Sequence, residues 1–139
     1  MSDTCLRVEL LHPKARLPHK AHASDACFDL YLPEDASLEP GETKALDTGI
    51  AIQLEEGWEA QVRGRSGLAK RGLLVYPGTI DHLYRRNLWV LVHNLSREPF
   101  AFRAGERVAQ LKVSRVWQVE VVEAKVEATE RGGLGSTGK

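Results

Sequence analysis

The chain has 139 residues, the length of one domain, and its 19 Lys and Arg residues balance 19 Asp and Glu residues, so its formal net charge is zero. Sequence-independent nucleic-acid binders carry a basic excess, so we expect no stable nucleic-acid partner. The two cysteines, Cys5 and Cys27, are too few for a disulfide framework or a zinc site. Charged residues interrupt the amino-terminal region, and no apolar run approaches the roughly 20 residues of a membrane helix, so we expect a cytoplasmic protein without a membrane partner.

The order of apolar and polar residues is that of a β protein. Residues 6–10, 49–54 and 58–63 alternate between the two kinds, which is typical of half-buried strands. Residues 88–92 are continuously apolar, which predicts a strand buried on both faces. Turn-forming residues recur along the chain, and stretches 108–113 and 119–122 are further candidate strands. Many short strands predict an all-β sandwich, jelly roll or barrel.

A candidate phosphate-binding segment follows one of these strands, where residues 63–71 read Arg-Gly-Arg-Ser-Gly-Leu-Ala-Lys-Arg. Only the part from Ser66 to Lys70 is predicted to be helical. Glycine lets a backbone approach a ligand closely, and the guanidinium of Arg65 suits phosphate oxygens. The alternative is that Ser66 is a helix N-cap and Arg65 a solvated side chain.

The next segment, residues 76–89, predicts a β-hairpin with a short polar connection. Asp81 directly follows the apolar Ile80, so it falls at the end of a strand. Its carboxylate would orient and deprotonate a water molecule in a pocket, or it would form an Asx-turn. Tyr84 offers a flat face for a sugar or a base, or it packs in the core.

Polar and aromatic residues near the carboxyl end leave alternatives open. Gln110 lies within an apolar strand, and because buried amides need partners it either ties the core together or contacts a ligand. Trp58 and Trp117 are predicted in the core or in an interface. We divide the chain into a β domain over residues 1–127 and a glycine-rich arm over 128–139, which either frays or orders over a phosphate-bearing ligand.

The motifs, taken in order, resemble those of the homotrimeric dUTPase family (deoxyuridine triphosphate nucleotidohydrolases) along nearly the whole chain. The five matching stretches are residues 23–30, 64–69, 78–81 with 84–85, 105–110 and 135–138. The resemblance implies a distorted jelly-roll or barrel-like subunit of the β-clip type, assembled as a homotrimer with shared active sites. It implies Mg²⁺-assisted attack of water on the α-phosphate of dUTP. The products would be dUMP and pyrophosphate, which limits uracil in DNA and supplies dUMP for thymidylate synthesis.

The resemblance also implies roles for residues that contact the nucleoside. Asp81 resembles the catalytic residue that holds and activates the attacking water. Thr79, Ile80 and the strand near Trp89 resemble the segment that reads uracil, largely through its backbone. Tyr84 resembles the aromatic residue that packs on deoxyribose and excludes a 2′-hydroxyl group.

The phosphates and the metal would be contacted by a second set of residues. The implied substrate contacts are Arg65, Ser66, Gly67 and Gln110, with Arg131, Leu134, Ser136 and Thr137 of the arm. Leu134 stands where the family carries a phenylalanine that stacks on uracil. No direct protein ligand to Mg²⁺ is implied, because the triphosphate and water hold the ion and Asp29 acts through waters.

Besides Leu134, the sequence departs from the family pattern in two places, and two rival functions are open. Residues 83–87 read Leu-Tyr-Arg-Arg-Asn where the family usually has Asp-Tyr-Arg-Gly-Glu, and the arm is shorter than the usual pattern. A dCTP deaminase shares the fold, but Leu91 occupies the place of its catalytic glutamate. A non-catalytic nucleotide sensor on the same scaffold is the other rival.

Overall fold

The computed structural model describes residues 5–135, which form ten β-strands and one short helix, as the all-β prediction requires. The elements in chain order are β1 (Arg7–Leu10), β2 (Phe28–Tyr31), β3 (Ala36–Leu38), β4 (Thr43–Gln53), β5 (Trp58–Arg63), α1 (Ser66–Lys70), β6 (Leu73–Val75), β7 (Gly78–Ile80), β8 (Asn87–Asn94), β9 (Phe100–Phe102) and β10 (Arg107–Arg115). The predicted helix matches α1 at both ends. In this part of the chain, no helix combines the length and hydropathy of a membrane crossing.

Two antiparallel four-stranded sheets enclose the core. Their strand orders are β1-β4-β8-β6 and β2-β10-β5-β7, and β3 pairs with β9 in a small third sheet. Buried side chains from both large sheets form one apolar cluster, which includes Ile50 of β4, Val90 of β8, Val62 of β5 and Leu111 of β10. The strands are held by this shared interior, since an isolated pair of strands is marginally stable in water.

Strand β8 is buried on one face only, so the prediction of burial on both faces is wrong for a single chain. Leu88, Val90 and Val92 point into the core and are at most 1% exposed, whereas Trp89 and Leu91 are each 47% exposed. The cause is the period of two along a strand: only alternate side chains of β8 reach the space between the sheets. Two large apolar side chains therefore remain on the outer face.

The predicted hairpin of residues 76–89 is also wrong in its pairing. β7 pairs with β5, with Ile80 opposite Ala60, whereas β8 pairs with β4 and β6. The connection between β7 and β8 therefore carries the chain from one sheet to the other. Period-two alternation identifies strands but does not determine their partners, so the sequence pattern did not reveal this crossing.

The candidate strand at residues 119–122 does not form a strand in the structure. The last paired strand ends at Arg115, and Val121 beyond it is 92% exposed. Trp117 is 78% exposed, which excludes the core alternative, and its place in an interface stays a prediction. Trp58 is half-buried and packs against the core, and the Arg115 guanidinium lies over both tryptophan rings, at 5.5 and 6.0 Å from their centroids.

We expect Leu111→Ala to lower the free energy of unfolding by about 2–5 kcal/mol, because it leaves a cavity in a closely packed core. Leu111 is fully buried in β10, between its two neighbouring strands. Urea unfolding at a fixed protein concentration measures the change. The matched control is Leu95→Ala at an exposed site, with an expected change within about 0.5 kcal/mol. Equal effects of the two variants would contradict this description of the core.

Candidate active site

An apolar cavity of about 450 Å³ lies where β7 and β8 approach each other. Its lining contains four of the residues predicted to act at the nucleoside, Thr79, Ile80, Tyr84 and Trp89, but not Asp81. β7 is the edge strand of its sheet, so one side of its backbone is not paired with another strand among the described residues. The free amide and carbonyl groups of such an edge can read a base by hydrogen bonding.

Asp81 begins the turn that follows β7. Its backbone carbonyl accepts a hydrogen bond from the Tyr84 amide at 3.0 Å, and its side chain is exposed. The turn is therefore closed by the backbone and not by an Asx hydrogen bond of the Asp81 side chain. Among residues 5–135, positive φ occurs only at glycines, so Arg86 is accommodated in this turn without a left-handed backbone. Asp81 does not line the apolar cavity, but it directly follows Ile80, which does, and it is exposed to solvent.

Of the predicted phosphate residues, Arg65 lines a second cavity, of about 530 Å³, which we call the arginine-lined cavity. Its cationic side chains are Arg16, Arg65, Arg71 and Arg107. Asp29 lies among them, with carboxylate oxygens 4.0 Å from Arg65 Nε and 3.6 Å from Arg107 Nη1. Guanidinium groups outnumber the carboxylates here, so the cavity is a local concentration of positive charge on a chain with no net charge.

The start of α1 places Ser66 and Gly67 beside Arg65. Arg65 is the N-cap, with φ −99° and ψ 134°, and no side chain caps the helix. The alternative of Ser66 as an N-cap is therefore wrong, since Ser66 is the first helical residue. A Cβ added to Gly67 would meet nothing within 4 Å, so packing inside the chain does not require glycine at this position. Both residues are exposed, and space above them is open to a ligand.

Gln110 ties the strand β10 to the segment that carries Arg65. Its side-chain amide donates a hydrogen bond to the Gly64 carbonyl at 2.9 Å. It also lines a third cavity, of about 450 Å³, together with Asp29, Arg63 and Cys27. Of the two alternatives, the structure shows the tie within the chain, at a position that borders the arginine-lined cavity through Asp29.

The arm residues that the structure describes lie apart from these cavities. Arg131 and Leu134 are exposed, Leu134 fully so, and neither lines any of the three cavities. The contact of the Arg131 amide is local, with the Thr129 hydroxyl at 3.3 Å. Ser136 and Thr137 lie outside the described residues. A single chain therefore assembles the predicted nucleoside and phosphate residues in two groups, and the apolar and arginine-lined cavities share no residue.

Some residues near the site were not predicted to act in it. Arg107 was included in a motif without a role, although it contacts Asp29. Asp47 and Asn87 form a hydrogen bond at 2.8 Å beside the turn that carries Tyr84, across 40 residues of sequence. A pattern of neighbouring residues contains no signal for such a distant pair.

The residues of the arginine-lined cavity fit a magnesium ion that arrives with a triphosphate. Among residues 5–135 there is no group of three or more His, Cys, Asp or Glu side chains placed to hold a metal ion. Mg²⁺ at nucleotide sites usually keeps several waters and takes one or two carboxylates plus phosphate oxygens. Asp29 is already paired with two guanidinium groups, and this arrangement suits contact with metal-bound water better than direct ligation.

The fold belongs to a known class of β protein. A mutant dUTPase of Staphylococcus bacteriophage 80alpha, solved with dUpNHpp, aligns with a TM-score of 0.87 at 28% identity, over 96% of this chain and 98% of that one. A mutant dUTPase of phage phi11 of S. aureus, described with a structural Mg(II) ion, aligns with a TM-score of 0.81 at 26% identity, over 88% and 97% of the two chains. The structure thus has the dUTPase fold.

Sequence comparison gives the family. The family model described as dUTPase matches residues 13–138. Proteins named deoxyuridine 5′-triphosphate nucleotidohydrolase are 42% identical in Solibacter usitatus, over 96% of each chain, and 46% identical in Hydrogenobaculum sp., over 96% of this chain and 97% of the relative. The chain therefore belongs to the dUTPase family. The predictions of this family, of its all-β subunit and of a dUTP diphosphatase are confirmed.

Proposed function

We propose that this protein hydrolyses dUTP to dUMP and pyrophosphate, with Asp81 as the catalytic residue. The observation that carries the proposal is the position of Asp81, directly after the edge strand whose Thr79 and Ile80 line the apolar cavity. A base held in that cavity would leave its sugar and α-phosphate near the turn. The reactive carboxylate and the recognition strand therefore belong to one short segment.

The edge of β7 supports selection of uracil. A planar base that enters beside Thr79 and Ile80 meets backbone donors and acceptors that side-chain rotation cannot rearrange. Cytosine presents mismatched donors to such an edge, and the methyl group of thymine needs additional space. A mismatch of buried hydrogen-bonding groups discriminates between substrates by roughly 10⁴-fold.

In the proposed reaction, the Asp81 carboxylate orients a water molecule and takes its proton as the water oxygen attacks the α-phosphorus. The new bond joins the water oxygen to that phosphorus, the bond to the bridging oxygen of the β-phosphate breaks, and pyrophosphate leaves. Phosphoryl transfer depends on positioning of the attacking water and neutralisation of the phosphate charge more than on covalent catalysis by the protein.

The phosphates would be held by Arg65, Ser66, Gly67 and Gln110, which lie at or beside the arginine-lined cavity. Mg²⁺ bound to the triphosphate supplies charge neutralisation of the phosphate oxygens. Asp29 would accept hydrogen bonds from waters in this region, beside the guanidinium groups of Arg65 and Arg107 at 4.0 and 3.6 Å.

We propose further that three copies of the chain share their active sites in a homotrimer. Within one chain the apolar cavity and the arginine-lined cavity share no residue. In an assembly, the apolar cavity of one copy can lie next to the arginine-lined cavity of a second copy. The exposed Trp117 and Val121, which line neither cavity, provide apolar area for contact between copies. The arm, with Arg131, Leu134, Ser136 and Thr137, would close over a site formed by its neighbours. In the cytoplasm such an enzyme limits uracil in DNA and supplies dUMP for thymidylate synthesis.

Pyrophosphate release from dUTP, dCTP, dTTP and UTP in the presence of Mg²⁺ tests the proposal. We expect turnover of dUTP, with the other three nucleotides slower by orders of magnitude. Ammonia release from dCTP would indicate the deaminase rival, although Leu91 lacks the required carboxyl group. Binding of dUTP without turnover would indicate a nucleotide sensor.

A further inference from the structure

The pairing of β4 with β8 is irregular where β8 begins. The two strands pair as far as Asp47 and Trp89, and then again only at Ala51 and Asn87, with a shift of register between these points. A bulge of this kind interrupts the backbone ladder and redirects the side chains around it. The interruption lies at the end of the turn that carries Asp81 and Tyr84.

Side chains replace the missing ladder bonds in the bulge. The buried Thr48 hydroxyl donates to the Leu88 carbonyl at 2.6 Å, and the Gly49 amide donates to Asp47 Oδ1 at 2.8 Å. Gly49 has a φ of +72°, and a Cβ there would come within 3.0 Å of His12 Cβ. Only glycine fits this backbone, so the bulge holds the Asp47 carboxylate in one position.

Asn87 connects the bulge to Tyr84 through two hydrogen bonds. Its side-chain amide donates to Asp47 Oδ2 at 2.8 Å, and its backbone carbonyl accepts from the Tyr84 hydroxyl at 2.7 Å. Both carboxylate oxygens of Asp47 are therefore engaged by groups of the chain. Hydrogen bonds to an ionised carboxylate are stronger than those between neutral groups, so the hydrogen bonds to Asp47 restrict the movement of Asn87.

Tyr84 is held by its hydroxyl group while its ring lines the apolar cavity beside Thr79, Ile80 and Trp89. Asp47 and Asn87 do not line that cavity; they line a neighbouring surface depression that shares Ala45 and Trp89 with it. A ring fixed at its far end cannot swing away to admit a larger sugar. If the Tyr84 hydroxyl loses its hydrogen bond to Asn87, the ring is free to rotate, and that rotation opens space for a larger sugar.

We infer that Asp47 and Asn87 are positioning residues that act through Tyr84 to set the preference for deoxyribose over ribose nucleotides. The inference rests on the proposed function, since it concerns the sugar of the same substrate. Neither residue touches the reacting atoms, so their effect appears in the choice of sugar more than in the rate with dUTP.

Asn87→Asp is the first test, because it places a second carboxylate opposite Asp47 and breaks the connection. We expect the ratio of kcat/KM for dUTP to kcat/KM for UTP to fall about 5- to 10-fold, the effect of losing one net hydrogen bond. The fall should come from a lower KM for UTP, with kcat for dUTP within about threefold of the parent.

A reciprocal double variant is the matched control. Asp47→Asn combined with Asn87→Asp restores an amide facing a carboxylate, with donor and acceptor exchanged, and the new amide oxygen still accepts from Gly49. We expect the parent ratio to return. A general structural weakening would not be reversed by adding a second substitution.

Tyr84→Phe removes only the hydroxyl bond to Asn87 and should lower the same ratio, which keeps the test decisive if Asn87→Asp does not fold. Titration of parent and variants with dUMP and UMP reads the sugar preference without turnover. A parent that binds dUMP over UMP but hydrolyses no dUTP would overturn the proposed function alone. Unchanged ratios in Asn87→Asp and Tyr84→Phe, or a double variant that folds without recovery, would overturn the inference.

Discussion

Asp81→Asn is expected to lower the rate of dUTP hydrolysis by about 10³-fold, while nucleotide binding stays within about threefold of the parent. The amide has the shape of the carboxylate but cannot take a proton from water. Asp81 is exposed at the start of the turn, so the substitution disturbs no core contact. Pyrophosphate release measures the rate, and titration with the analogue dUpNHpp measures binding.

Glu56→Gln is the matched control for this prediction, because it makes the same chemical change at an exposed carboxylate outside the site. We expect parent activity from it. Normal hydrolysis by Asp81→Asn would show that another group activates the water. Loss of binding together with loss of turnover would instead place Asp81 among the residues that hold the nucleotide.

Removal of residues 132–139 is expected to lower kcat/KM for dUTP by about 10²-fold, with the melting temperature within about 2 °C of the parent. Leu134 is fully exposed and lines none of the three cavities, so its loss removes no packing that the described chain shows. The proposed contribution of the arm is to the closed complex with nucleotide. Steady-state kinetics and thermal unfolding at one protein concentration measure the two quantities.

The control is a chain in which a glycine-serine tail of equal length replaces residues 132–139. It distinguishes the effect of the arm's amino-acid sequence from the effect of its length. We expect it to behave like the truncated chain, because contacts from the Leu134 side chain and its neighbours are lost in both. Full activity of the truncated protein would show that the arm is only a frayed terminus. Full activity of the glycine-serine chain alone would show that any flexible cover is sufficient.

The sequence predicted those features of the candidate site that depend on residues close together in the chain. Ser66–Lys70 is helical in both the prediction and the structure, and the backbone leaves the helical conformation at Arg65 before it and at Gly72, with a φ of +97°, after it. Asp81 falls at a strand end, as the change from apolar to polar residues indicates. The resemblance to the family assigned Thr79 and Ile80 to one site with Tyr84, and all three line one cavity in the structure.

Distant contacts were not predictable in this way. The hydrogen bond between Asp47 and Asn87 spans 40 residues, and neither residue differs from an ordinary polar surface residue when its neighbours in sequence are considered. The exposed positions of Trp117 and Val121 show the same limit, since a β-like pattern favours a strand only where another strand is available to pair with it.

The sequence by itself determined the all-β class, the short helix, the order of the motifs and the strand end at which Asp81 lies, because each depends on neighbouring residues. The tertiary structure alone decided that β7 and β8 lie in different sheets, that Trp89 and Leu91 face outward, and that Asp29 lies between two arginines. The physical reason is that pairing, burial and ion contacts are properties of segments far apart in the chain. A local pattern specifies which face of a strand is apolar, but not which surface covers that face.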